Sequence, residues 1–107
     1  MTDFKIQYTD KKFKYGYIGM NAYAAKHLKI PFNYKKPKSK IVIYRHLPKD
    51  VRVNTIRHER IEAYLMKNKH YSYPRAHKIA LKFEELSRTF PEEQVLKKMK
   101  KLGFKLS

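Results

Sequence analysis

Cysteine occurs nowhere in the 107 residues. Disulfides and thiolate metal sites are thereby excluded, so any zinc site must be built from histidine and carboxylate. The absence agrees with a reducing interior. No apolar run approaches the roughly 18 residues that a membrane span needs. Met1 is followed by Thr-Asp-Phe-Lys and not by the apolar core of a signal peptide. The expectation is a soluble, cytoplasmic protein with no membrane partner. Acid is the third scarcity: 9 Asp and Glu stand against 26 Lys and Arg, a formal net charge of +17. Such an excess suits an anionic partner, of which nucleic acid is the usual one. A Lys-rich solvated surface from a hot environment would also show it, but such surfaces enrich Glu alongside Lys.

What is present is a folding composition, 42% hydrophobic, in a length that supports one domain spanning residues 1–107. No internal repeat or linker is visible, and a monomer or small homo-oligomer is expected. Phe4, Ile6 and Tyr8 alternate with polar residues, and Phe13, Tyr15 and Tyr17 repeat the pattern after Thr9-Asp10-Lys11-Lys12. Period two on both sides of a polar break predicts an N-terminal β-hairpin with an aromatic face. That face packs on a helix or, in the functional reading, stacks nucleic-acid bases.

Asn21 is placed to cap a short helix, Ala22 to Leu28, which Pro31 ends. His27 near its C-terminus reads as a partner of the helix dipole and not as a ligand. Tyr34 to Lys40 is too charged and proline-broken for a regular element. Lys35, Lys36, Lys38 and Lys40 in this exposed loop are the candidate anion-binding residues. Ile41-Val42-Ile43-Tyr44 reads as a strand covered on both faces. Helices then follow over about Val51 to Lys67, with Asp50 as its cap, and over Pro74 to Arg88. A last helix opens at Pro91-Glu92-Glu93, carries Val95, Leu96, Met99 and Leu102, and stops at Gly103. The fold class is α+β.

The most informative stretch is Thr55 to Met66. On a helix His58 and Glu62, four residues apart, point the same way, with Glu59 offset by about 100° per residue. Val51, Thr55, His58, Glu62 and Leu65 fall on the stripe expected to face the core, and Arg57, Arg60, Tyr64 and Lys67 on the other. A core-facing His and Glu need a partner, and a metal ion satisfies both. His77, on the next helix and close by through a short connection, can complete a His, Glu, His set. Glu84, seven residues beyond His77, is a further ligand or the carboxylate that holds His77 in its tautomer. Such a set leaves one position of a catalytic zinc open for water, and Glu59 stands where it can take a proton from that water.

His58-Glu59-Arg60-Ile61-Glu62 followed by Ala76-His77 resembles the gluzincin class of zinc metallopeptidases in a minimal single-domain form. It is also similar to small proteins of archaeal plasmids and viruses that carry a His-Glu-x-x-Glu helix and a downstream Ala-His-x-x-Ala, here Ala76 to Ala80. The resemblance covers roughly Ala24 to Glu84. In the common motif the second helical ligand is His and the downstream one Glu; here Glu62 and His77 exchange those types. The resemblance implies a zincin-like domain that binds Zn²⁺ through His58, Glu62 and His77. It further implies hydrolysis of a peptide or protein substrate with Glu59 as the catalytic base. An extended substrate would pair with the edge of the Ile41 to Tyr44 strand. Tyr71, Tyr73 or His70 would stabilise the oxyanion.

Two other readings stand beside it. One is a basic DNA-binding module of a mobile element, in which the His and Glu cluster is a structural hydrogen-bond network. The other is a zinc that only staples a small core.

Overall fold

The apolar run Ile41-Val42-Ile43 dictates the centre of the sheet, because residues that are apolar on both faces must be covered on both. The computed structural model describes residues 4–101. In it, strands β1 (Lys5–Thr9), β2 (Gly19–Asn21) and β3 (Lys40–Tyr44) form one sheet in the order β1-β3-β2. β3 is central, parallel to β1 with Lys5 opposite Lys40 and antiparallel to β2 with Met20 opposite Val42. Helices α1 (Ala22–Leu28), α2 (Lys49–Asn68), α3 (Tyr73–Thr89) and α4 (Glu92–Lys101) complete an α+β fold.

The expected N-terminal hairpin is therefore corrected: β1 and β2 do not pair with each other. Alternation specifies a one-sided strand but not its neighbour, and the fully apolar β3 takes the place between them. Phe13, Tyr15 and Tyr17 lie in a tight loop and not in a strand. There the Gly16 N–H donates to Phe13 O at 2.9 Å and the Phe13 N–H to Tyr17 O at 2.9 Å.

Asn21 caps α1 as expected, its Oδ1 accepting from the Ala24 N–H at 2.9 Å. α2 starts two residues before the expected Val51, so Asp50 lies inside its first turn and not at the cap, which is Pro48. Asp50 still faces the positive end of the helix dipole. Leu102 and Gly103, expected at the end of the last helix, lie outside the described residues.

α2 is the hub, packed against β2, β3 and α1 as well as α3. Because it is covered from several sides, its buried face is wider than one stripe. Tyr64, expected outside, is buried with Ile61 and Leu65 against Ala76, Ala80 and Phe83 of α3 and Val95 and Met99 of α4. A second cluster, Met20, Ala24, Ala25 and Ile30, anchors α1. No helix among the described residues is long and apolar enough to cross a membrane.

Candidate metal centre

Three side chains from two helices converge on the buried face of α2. His58 and Glu62 come from successive turns of that helix, and His77 comes from the first half of α3, where Ala76 and Ala80 let the two helices close up. Glu62 is 2% exposed, and its Oε2 lies 3.1 Å from His58 Nε2 and 2.8 Å from His77 Nδ1. One potential ligand atom from each of the three lies within 4.8 Å of the others. The group can hold a metal ion. The rings of His58 and His77 meet edge to face at 5.1 Å, a mutual support that sets both orientations.

Glu59, also buried, does not point at this set. Its Oε1 accepts from Asn21 Nδ2 at 2.9 Å, and the same amide nitrogen donates to Glu62 Oε1 at 3.2 Å. Asn21 thus occupies one oxygen of each carboxylate. Glu62 keeps Oε2 for the two imidazoles, and Glu59 lines a cleft of about 140 Å³ with His58, Glu84, Thr55, Tyr17, Ile18 and Gly19. Sequence reasoning saw Asn21 only as a helix cap; no local pattern links it to residues 38 and 41 positions away.

Gly19 is the second residue that the sequence did not flag. A Cβ there would stand 2.7 Å from Thr55 Cγ2, 3.1 Å from Glu59 Cγ and 3.3 Å from Ile43 Cδ1. The bare backbone of β2 lets α2 approach close enough for Asn21 to reach both carboxylates.

Burial raises the Glu59 carboxyl well above the ordinary range, to about 8. The Glu62 charge adds to the rise, while His58 and the Asn21 hydrogen bond oppose it. For His58, burial works against the charged ring. The Glu62 hydrogen bond and the charges of Glu59, Glu62 and Glu84 outweigh that and hold it above the usual value.

Glu84 sits beside His58 and not His77, contrary to the sequence expectation. Its Oε2 is 3.8 Å from His58 Nδ1, and it is not part of the three-residue cluster. His58 Nδ1 is the one buried side-chain nitrogen or oxygen among the described residues without a hydrogen-bond partner. In a purely hydrogen-bonded network, a neutral His58 that gives its Nε2 proton to Glu62 leaves Nδ1 a buried acceptor facing the Glu84 carboxylate, and only a charged ring places a proton there. With a cation on Nε2, the proton moves to Nδ1, where Glu84 waits for it. The donor types, two imidazoles and one carboxylate oxygen, suit a divalent ion, with Glu84 placed as an outer carboxylate.

Of the three candidate oxyanion residues, only Tyr73 is brought to the cluster. Its hydroxyl lies 3.4 Å from His77 Nδ1 and its ring stacks on that imidazole at 5.2 Å. Burial first, and then the Glu62 charge, raise its pKa, so the phenol remains a proton donor. Tyr71 packs its ring under Arg75, and His70 is exposed in the connection after α2; neither touches the cluster. The face of His27 stacks on Tyr73 at 4.7 Å, away from the ligand atoms. Lys35, Lys36 and Lys38 are exposed, as expected, around one 3₁₀ turn over Pro37–Ser39. Lys40 is half-buried at the start of β3, its Nζ 3.5 Å from Gln7 Oε1, so it is a strand residue and not part of the loop. Comparison of the chain with family models, curated proteins and solved structures found no match.

Proposed function

We propose that this protein is a zinc-dependent hydrolase of the metallopeptidase type, with His58, Glu62 and His77 as ligands and Glu59 as general base. The observation that carries the reading is the different surroundings of two buried carboxylates one turn apart. One Asn21 amide fixes both, turning Glu62 Oε2 to the two imidazoles and leaving Glu59 on the cleft wall. A bound divalent ion would supply Lewis acidity, acidifying water and polarising a carbonyl.

The chain's own residues do the rest. Glu62 would bring a negative charge that offsets part of a bound cation's, and imidazole ligands would add none, so the centre would stay net positive. Ionised Glu59 takes the proton of the attacking water and hands it to the leaving amine; a cation held beside it would favour that ionised form, which burial alone disfavours. Tyr73, a phenol beside His77, donates to the oxygen on which charge develops. Substrate seating on the edge of the Ile41 to Tyr44 strand is not retained, because β3 has a neighbour on both sides. The backbone that borders the cleft is Tyr17–Gly19, leading into edge strand β2, and an extended chain is seated there.

The test is hydrolysis of an unstructured peptide library by the zinc-loaded chain. Glu59→Gln should lower the rate by about 100-fold or more while retaining metal and fold. A zinc-loaded protein that cleaves no peptide, or a Glu59→Gln variant as active as the parent, overturns catalysis and leaves zinc as a staple of the core.

A further inference from the structure

The three carboxylates gathered at the site, Glu59, Glu62 and Glu84, leave six for the rest of a chain with 26 Lys and Arg, none of the described ones buried. The positive charge therefore belongs to the outer surface. Part of it lies where two loops meet. Lys11, Lys12 and Lys14 follow β1, while Lys35, Lys36 and Lys38 precede β3, and all six are exposed. An aromatic series joins the loops: Phe13 stacks on Phe32 at 6.4 Å, and Phe32 meets Tyr34 edge-on at 4.8 Å. The one carboxylate beside them, Asp10, is engaged by Arg45 at 3.3 Å and His46 at 3.2 Å.

Tyr15 crowns this surface. It is 75% exposed, and its only described ring contact is Lys14 Nζ, 5.2 Å from the centroid. Its backbone sits at φ 66, ψ 12, the left-handed region that a bulky side chain avoids. Gly16, which follows at φ 80, shows what residue type this turn prefers. An aromatic ring is thus held out in solvent at a conformational cost with no packing in return. Strain of that kind is found at sites of use.

We infer that the two loops, with Lys11, Lys12, Lys14, Lys35, Lys36 and Lys38 and the platform of Tyr15, form a binding surface for single-stranded nucleic acid. The lysines track the phosphates and the phenol ring stacks on a base, a sequence-tolerant combination. The lysines of α4 offer charge on a helix that carries no aromatic residue of its own, and do not favour a single strand. Neither Tyr15 nor any of the six lysines belongs to the metal cluster or lines its cleft, so the two assignments are tested independently.

The probe is a fluorescein-labelled oligodeoxythymidylate of about 15 nucleotides, titrated with the full chain in chelator at several salt concentrations. Affinity should fall steeply with salt. Replacing Lys35, Lys36 and Lys38 together with Gln should lessen the log–log slope by about 2. Tyr15→Ala should weaken binding by about 5- to 100-fold, and Tyr15→Phe should not. Tyr15→Gly adds a readout that a structural role for the ring would not give: binding falls while the melting temperature rises, because glycine relieves the left-handed backbone. Wild-type affinity in the Tyr15→Ala and triple-lysine variants overturns the inference. So does a blunt duplex of equal length that displaces the single strand, or phosphatidylserine vesicles that capture the chain when the oligonucleotide does not. Retained binding in His77→Ala is expected, and its loss there would tie the partner to the metal centre instead.

Discussion

Asn21 Nδ2 lies 2.9 Å from Glu59 Oε1, a hydrogen bond that ties the end of β2 to the middle of α2 and is shared with Glu62 at 3.2 Å. The same side chain caps α1 through its carbonyl oxygen. Asn21→Asp keeps the capping acceptor but exchanges the shared donor for a third carboxylate. Measured by urea denaturation in chelator, the variant should lose about 3 kcal/mol, the scale of an uncompensated buried charge. Added zinc should restore part of that loss. Unchanged stability in chelator contradicts the bridging role.

The close approach of β2 to α2 makes Gly19 a second control point. Gly19→Ala should cost about 1–3 kcal/mol through overpacking against Thr55 and Glu59. Thr55→Ser removes the nearest methyl group while keeping the hydroxyl that donates to Val51 O at 2.7 Å. The double variant should therefore recover more than half of the cost of Gly19→Ala in the Thr55→Ser background. Purely additive losses in the thermal or urea midpoint contradict a steric origin.

Glu84 is placed to accept the proton of His58 Nδ1 once Nε2 holds a cation. Glu84→Gln should leave the chain folded, since this half-buried side chain packs at the rim of the cleft. It should weaken zinc affinity by about 10- to 100-fold, the usual effect of losing an outer carboxylate. Competition with a chromogenic chelator reads this directly, and unchanged affinity removes Glu84 from the site.

The His58, Glu62, His77 group is legible because helical periodicity links positions four apart, and a short connection brings the next helix back beside the first. His58, Glu62 and His77 needed no other information. The same periodicity links Glu84 to His77, whereas it lies beside His58. In an antiparallel helix pair, two turns forward from His77 on α3 means backward along α2, past Glu62 to the level of His58. A single core-facing stripe leaves Tyr64 outside, whereas four other elements, α1, α3, β2 and β3, pack on α2. The sheet order, and Asn21 and Gly19 with it, depend on which strands meet across the chain. Alternation of apolar residues carries a strand's faces but not its neighbours. The Phe13, Tyr15, Tyr17 alternation was a real pattern with another cause: two aromatics turned inward around a tight loop and one held outward.

Zinc content after purification and dialysis, read by atomic emission on the full chain and on His58→Ala, Glu62→Gln and His77→Ala, tests the account most directly. One ion per chain is expected for the parent, none or a small fraction for each variant, with a melting temperature that falls when the parent is stripped by chelator. A parent chain that takes up no zinc, cobalt or manganese, and whose melting temperature is indifferent to them, would contradict the metal centre. The cluster would then be a hydrogen-bond network between two helices.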